Sequence, residues 1–239
     1  MRSIKAIFKK QFKDTFKNLG VLIQFLIFPV VAFVMTELVA VRNDYIPNTM
    51  FVTMMASIFV GMALIPTIAG IVAEDKETKS LRFLVMAGVK PPDYLMGIAA
   101  VILATSLLPA LAFGFMGRFG GVEFWIFMAT MMSGVVASTM LGLTIGIYSD
   151  NQQAATGLSM PFAMILGFAP MIATFNEPMM RVTRFLYTQQ IDLVLNSFYS
   201  VGGYQAALNL WEPFAVIGVN TALLIVLFTF AYAKKGLRG

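Results

Sequence analysis

Ionisable side chains are concentrated in one stretch of this sequence, residues 73–92, which separates two long apolar runs. They are carboxylates, amines and one guanidinium: Glu74, Asp75, Lys76, Glu77, Lys79, Arg82 and Lys90. The chain contains no histidine and no cysteine, which excludes imidazole acid–base catalysis, thiolate metal ligands and disulfide bonds. The chemistry that this stretch can supply is therefore ion pairing and hydrogen bonding, with water or with a soluble partner.

The residue pattern within this stretch predicts a short docking helix. Residues 80–86, Ser-Leu-Arg-Phe-Leu-Val-Met, form one or two amphipathic turns. Gly88 suits a helix C-terminus, and the pair Pro91-Pro92 prevents the helix from continuing. A solvated connection needs only a few residues, so a stretch of this length and pattern favours an element that enters a groove on another protein. A plain solvated loop is the alternative.

Composition predicts the elements that position this stretch. The sequence is 59% hydrophobic and 12% charged, whereas soluble domains are about 45–50% apolar and about 25% charged. Crossing a hydrocarbon core takes about 20 residues, and six apolar blocks reach that length. We therefore expect an all-α integral membrane protein with a single membrane domain over residues 1–239. Its six spans are expected at residues 19–41, 49–72, 94–115, 123–148, 155–175 and 213–233.

Residues 1–18 predict an amphipathic helix that lies in the membrane interface. Lys5, Lys9, Lys13 and Lys17 recur every four residues and therefore share one helical face. Apolar residues, mostly phenylalanine and isoleucine, occupy another face. We expect the lysines to contact anionic headgroups while the apolar face enters the acyl boundary. A signal-peptide n-region is the alternative, but the apolar run that follows exceeds the usual 7–15 residues.

The basic residues predict the orientation, because cytoplasmic loops of membrane proteins carry an excess of lysine and arginine. With both termini cytoplasmic, all but four of the 17 basic residues fall in cytoplasmic segments. The four exceptions are Arg42, Arg118, Arg181 and Arg184. The net charge of +5 is thus explained by membrane orientation and does not require nucleic-acid binding.

Residues 176–211 are too polar to cross a membrane, yet they keep a helical pattern. Apolar side chains recur at helical spacing opposite a polar set that comprises Gln189, Gln190, Asp192 and Asn196. This pattern predicts one or two short amphipathic helices at the outer interface or dipping inward from it.

Small residues and prolines mark particular positions within the spans. Gly134, Ser138, Gly142 and Gly146 follow one another at intervals of four, which predicts close packing against another helix. Prolines free backbone carbonyls, so they fit a bent helix that lines a cavity. Proline is also common in membrane helices generally. The prolines considered for a translocation path are Pro29, Pro66, Pro161 and Pro170.

The sequence lacks the common catalytic motifs. It has no GxxxxGK[ST] phosphate loop and therefore no evident means of hydrolysing ATP itself. HExxH and GxSxG are also absent. The carboxylates nearest the predicted spans are peripheral: Glu37 lies near the far end of the first span, and Glu123 and Asp150 lie at span ends, which disfavours a proton relay. We therefore expect a transport or scaffold protein without a catalytic site of its own.

The order of these features resembles the permease subunit of a type-2 ABC exporter. It comprises the amphipathic N-terminal helix, six spans and a semi-polar segment before the last span. The loop Glu-Asp-Lys-Glu-Thr-Lys-Ser-Leu-Arg-Phe-Leu is followed by Ala-Gly-Val and a helix restart at Tyr94. The resemblance covers essentially the whole chain.

The resemblance implies a bacterial cytoplasmic-membrane permease that pairs with a second copy or a paralogue. Each half would bind a cytoplasmic ATPase subunit that holds ATP and magnesium, and the permease itself would need no cofactor. The coupling residues would be Glu74, Asp75, Lys76, Glu77, Thr78, Leu81, Arg82 and Phe83, with Asp150 and Asn151 in a second, smaller contact. The substrate route would run between the protomers along the first, second and fifth spans.

A second hypothesis comes from a different class of protein. The chain would be a membrane scaffold without transport activity, and its charged loop would recruit a soluble partner. The two hypotheses differ in whether a P-loop ATPase accompanies the chain.

Overall fold

The computed structural model describes residues 2–43, 45–86, 88–198 and 210–235. Within those ranges the regular elements are all helical. They are α1 (Arg2–Lys17), α2 (Leu19–Met35) continued by a π-helical segment (Thr36–Ala40), α3 (Met50–Ile58), a second π-helical segment (Phe59–Ala63), α4 (Leu64–Glu77), α5 (Ser80–Met86), α6 (Pro91–Met116), α7 (Gly121–Tyr148), α8 (Gln152–Phe175), α9 (Glu177–Thr183), α10 (Tyr187–Asn196) and α11 (Trp211–Lys235).

Six of the helical stretches are long and apolar enough to cross a membrane, which confirms the predicted all-α membrane fold. They are Leu19–Ala40, Met50–Glu77, Pro92–Met116, Gly121–Tyr148, Gln152–Ala173 and Trp211–Lys235. The second span is longer than expected from residues 49–72. It continues without a break through Glu74, so the first part of the charged stretch is the end of a membrane helix and not a loop.

The second and fourth spans form the centre of the bundle. Their close contact depends on the predicted row of small residues in α7. A methyl group added at Gly142 would lie 2.7 Å from Cβ of Ile68, and one added at Gly146 would lie 2.7 Å from Cβ of Val72. Those separations are shorter than a normal carbon–carbon contact, so only glycine allows α7 to approach α4 this closely.

A π-helical segment interrupts the second span at Phe59–Ala63. Pro66 has no N–H and leaves a carbonyl one turn earlier without its helical partner. Side chains of other spans bond the carbonyls of this region: Ser138 Oγ donates to Val60 O at 2.7 Å, and Gln24 Nε2 donates to Ala63 O at 3.0 Å. The wider turn is thereby held by contacts to the first and fourth spans.

Helix α10 dips into the bundle instead of lying along its surface. It packs against α3, α7, α8 and α11, and its polar side chains Gln189, Gln190 and Asp192 are as buried as its apolar ones. For α10 the inward alternative is therefore the correct one, because other helices supply partners for its polar face. Residues 199–209 of the same semi-polar segment lie outside the described residues.

Candidate partner-docking site

Four segments meet at one end of the bundle, which we call the α5 end. They are α1, the α4–α5–α6 connection, the turn between α7 and α8, and the C-terminal part of α11. Side-chain contacts join them: Gln11 to Asp75, Lys76 to Ser149, and Lys235 to Asp150. These are the segments that the distribution of basic residues assigns to one side of the membrane.

The carboxylate of Asp75 joins four helices. Asp75 lies near the end of α4, and its side chain is 11% exposed. Gln11 Nε2 of α1 donates to it at 2.5 Å, Ser80 Oγ of α5 at 2.6 Å, and the Tyr94 hydroxyl of α6 at 2.6 Å. Lys10 Nζ lies 3.5 Å away. The hydrogen-bond donors and the nearby cation offset the free-energy cost of burying this carboxylate.

Lys76, the next residue, makes the equivalent contacts on the other side of α4. Its side chain is 2% exposed, and Nζ donates to Ile147 O at 2.9 Å and to Ser149 O at 2.5 Å. These carbonyls lie at the C-terminal end of α7, where helical partners are missing and a cation is favourable. Asp150 Oδ1 lies 3.9 Å from Lys76 Nζ and 3.3 Å from Lys235 Nζ, so α11 joins the same network.

Glu77 extends the network to α8. Its Oε2 accepts a hydrogen bond from the backbone N–H of Gln152 at 3.0 Å, at the first residue of that helix. The N-cap Asn151 accepts from Ala154 N at 2.8 Å. A carboxylate at a helix N-terminus satisfies a free N–H and interacts favourably with the helix dipole.

Helix α5 is held on one side and open on the other. Leu81 is buried in the bundle, whereas Phe83 is 67% exposed and Met86 is exposed to the same extent. Positive φ angles bound the helix on both sides, 57° at Lys79 and 82° at Gly88. Two large apolar side chains thus project from the charged end of the molecule.

The predicted coupling residues divide into two groups. Glu74, Glu77, Thr78, Phe83, Asp150 and Asn151 lie at the surface. Asp75, Lys76 and Leu81 are buried against neighbouring helices, and their role in coupling stays a prediction. The burial of Asp75 and Lys76 follows from the helical continuation of α4, which turns adjacent residues toward α1 and toward α7. For Arg82 the structure describes the backbone only.

Helix α1 also has two faces. Lys5, Lys9, Lys13 and Lys17 are exposed, as the spacing predicted. Ile7, Gln11 and Thr15, at the same spacing, are buried on the side that packs against α6. The contact of Gln11 was not predicted, although its position in the row Ile7–Gln11–Thr15 is a signal that could have revealed it.

A cleft of about 390 Å³ opens at this end between α2, α4 and α8. Gln24, Thr67, Gln152 and Met160 are among the residues that line it, and Pro66 is the one predicted path proline in its wall. Pro29 and Pro170 are buried in the bundle, and Pro161 is exposed on α8. The expectation that the four prolines line a translocation path stays a prediction.

A buried acidic group at the opposite end was missed. Asp192 of α10 accepts from Ser57 Oγ at 3.2 Å and from Asn196 Nδ2 at 2.8 Å. The pKa of the Asp192 carboxyl is raised to about 6, because burial raises it more than the two hydrogen bonds lower it. Asp192 was expected on the polar side of an amphipathic helix, and its burial adds an interior carboxylate to the peripheral ones of the spans. Within the described ranges, no group of three or more acidic side chains comes together as a metal site.

Six spans with charged segments gathered at one end define a multi-pass membrane protein. The ABC-2 type transporter family model matches residues 2–187, more than three quarters of the sequence, and the chain belongs to this family. It is the transmembrane permease component of an ABC transporter and not the ATPase. Among curated proteins, no relative matches the chain.

Proposed function

We propose that this permease is an exporter that works as a dimer and is driven by a separate ATPase subunit, which docks at the α5 end. The observation that carries the proposal is the exposed apolar side of α5, with Phe83 and Met86 projecting beside charged residues. Apolar anchors with a charged rim are typical of helix-in-groove recognition. ATP and magnesium would be bound by the ATPase subunit.

The network beneath α5 supports a role in transmitting movement. A displacement of α5 pulls on Asp75 through Ser80, and Asp75 also holds α1 and α6. Lys76 and Glu77, on the same helix turn, hold the α7–α8 turn and α11. A docked motor would therefore shift several spans together, and the differential contact between conformations would lie at α5.

The substrate route follows from the same arrangement. The cleft between α2, α4 and α8 opens at the α5 end, and the exposed sides of α2 and α8 are free to face a second copy. We place the cleft at the cytoplasmic entrance of the route. The α5 end carries the lysine row of α1 and Lys235, so the positive-inside rule supports cytoplasmic termini in a bacterial inner membrane.

Copurification tests the proposal. The tagged full chain, extracted from its native membrane in mild detergent, should carry a P-loop ATPase, and Phe83→Ser should abolish that association. Phe185→Ser is the matched control, because Phe185 is 73% exposed at the opposite end of the molecule. Recovery of a soluble partner without a P-loop would favour the scaffold hypothesis, and an unchanged ATPase yield with Phe83→Ser would contradict docking at α5.

A further inference from the structure

We propose that the cavity between α9, α10 and α11 binds an anionic phospholipid from the adjacent leaflet, with the lipid phosphate on Arg181. This cavity lies at the end of the bundle opposite the α5 end. The lipid proposal does not depend on the transport proposal. Its volume is about 330 Å³. Met180, Leu193 and Pro213 provide apolar wall, and two arginines, Arg181 and Arg184, lie among its lining residues.

The two arginines differ in their partners. Arg184 forms an ion pair with Glu212, which also lines the cavity. Among the described residues, none of the ion pairs involves Arg181, and Glu177, one turn earlier in α9, is not within 4.0 Å of it. The cavity therefore keeps one positive charge without an internal counter-ion. A guanidinium matches the paired oxygens of a phosphate group.

The surroundings of the cavity identify the ligand as a lipid. Val182, Phe185 and Trp211 are large apolar side chains that stand exposed beside it. Tryptophan concentrates at the level of the headgroups, where its ring meets both apolar and polar surroundings. An acyl chain would cover the apolar wall, whereas a free phosphate ion would leave that wall bare. Arginine near a membrane interface also extends toward lipid phosphates.

Charge and position together favour an anionic lipid. Arg181 and Arg184 are two of the four arginines that the topology assigns to the side poor in basic residues. Lipid at this site would join α9 and α10 to the start of α11. Lipid binding should therefore stabilise the folded chain by an amount that grows with the logarithm of the free lipid concentration once that concentration exceeds Kd.

The test measures the thermal midpoint of the purified full chain in detergent while phosphatidylglycerol, phosphatidylcholine or inorganic phosphate is added. Phosphatidylglycerol should raise the midpoint of the wild type more than the other two. Arg181→Gln should bind phosphatidylglycerol about tenfold more weakly, as expected for one lost charge-assisted contact. Arg181→Lys should lie between them, since it keeps the charge and loses the paired geometry.

Arg42→Gln is the matched control, because Arg42 is exposed in another turn of the same predicted membrane side. It should respond to phosphatidylglycerol as the wild type does. Equal responses of the Arg181 and Arg42 variants would overturn the proposal. So would equal protection by phosphatidylcholine, or protection by inorganic phosphate as large as that by the lipid. If Arg181→Gln has a lowered midpoint without lipid, the ratio of lipid affinities between Arg181→Lys and the wild type decides the question.

Discussion

The two ends of the bundle handle polar residues in different ways. At the α5 end, charged side chains of α4 join neighbouring helices and leave a surface helix exposed. At the α10 end, a whole polar helix is buried, and its groups bond to the interior of the second span through Ser57 and Thr53. The first arrangement suits an element on which a partner acts. The second arrangement suits an element that stabilises the packing at one end of the bundle.

The second span connects the two arrangements. Its α3 part bonds α10, its π-helical segment is bonded by the first and fourth spans, and its α4 part carries Asp75 and Lys76. This span contacts the polar residues of both ends, so a movement at one end can reach the other end through it. Changes at the two ends should therefore differ in their effect on stability and on partner binding.

Removing the Asp75 carboxylate should have the largest effect. Asp75→Ala leaves two buried donors, on Gln11 and Tyr94, without their acceptor, and Ser80 keeps only its bond to the carbonyl of residue 75. We expect a loss of about 3 kcal/mol in the free energy of unfolding, as for other broken buried polar networks. Thermal unfolding in detergent measures this loss. Asp14→Asn, an exposed acid on α1, is the control, and equal midpoints for both variants would show that the network carries no stability.

The central packing should be the next most sensitive feature. Gly142→Ala places a methyl group against Ile68 and should cost about 1–3 kcal/mol through overpacking. Gly157→Ala is the matched control, since nothing lies within 4 Å of a methyl group there, and alanine should stabilise that helix by up to about 1 kcal/mol. Opposite signs of the two changes in unfolding midpoint are expected. A neutral or stabilising effect of Gly142→Ala would argue against the close approach of α7 to α4.

The α10 end should respond to pH through Asp192. Its folded pKa of about 6 exceeds the ordinary value of 3.8, so the folded state binds the proton more tightly than the unfolded state. The contribution of Asp192 to stability is therefore greatest below pH 3.8 and is lost as pH rises through about 6. Its size should be on the order of 2–3 kcal/mol.

Asp192→Asn isolates this contribution, because other acids titrate equally in both proteins. The difference in unfolding midpoint between variant and wild type should change between pH 4 and pH 7, with the variant relatively more stable at the higher pH. A difference that stays constant over this range would show that Asp192 is ionised throughout and that the α10 end is not dry.

The smallest effect is expected at the exposed edge of the α5 end. Glu77→Gln weakens the cap on α8 and should cost about 0.5 kcal/mol. Glu74→Gln makes the same change one turn away, where no side-chain hydrogen bond of Glu74 is described, and should be neutral. Equal unfolding midpoints for the two variants would show that the hydrogen bond of Glu77 to α8 does not contribute to stability.

Much of the fold could be predicted because the responsible forces are local in sequence. Six apolar blocks predict six helical spans, since a backbone in hydrocarbon must satisfy its own hydrogen bonds. Gly88 and Pro91 end and restart the helices on either side of them. The lysines of α1 share an exposed face because of the helical repeat alone. The spacing from Gly134 to Gly146 indicated a packing face, but not which helix it meets.

The inward placement of Asp75 and Lys76 could not be predicted from the same information. A charged residue at the end of a span satisfies the sequence pattern whether it faces water or a neighbouring helix. The rotation of α4 decides between them, and the contact of α4 with Gly142 and Gly146 of α7, far along the chain, sets that rotation. Asp192 is a similar case, because its partner Ser57 is 135 residues away in sequence.

The sequence by itself determines the membrane class, the number of spans, the charged segment and the absence of a phosphate-binding loop. Each of these depends on composition and on spacing within one helix. The tertiary structure alone decides which charges become internal links and which apolar side chains remain exposed at α5. Burial depends on what a neighbouring helix presents, and the assembled bundle brings those helices together.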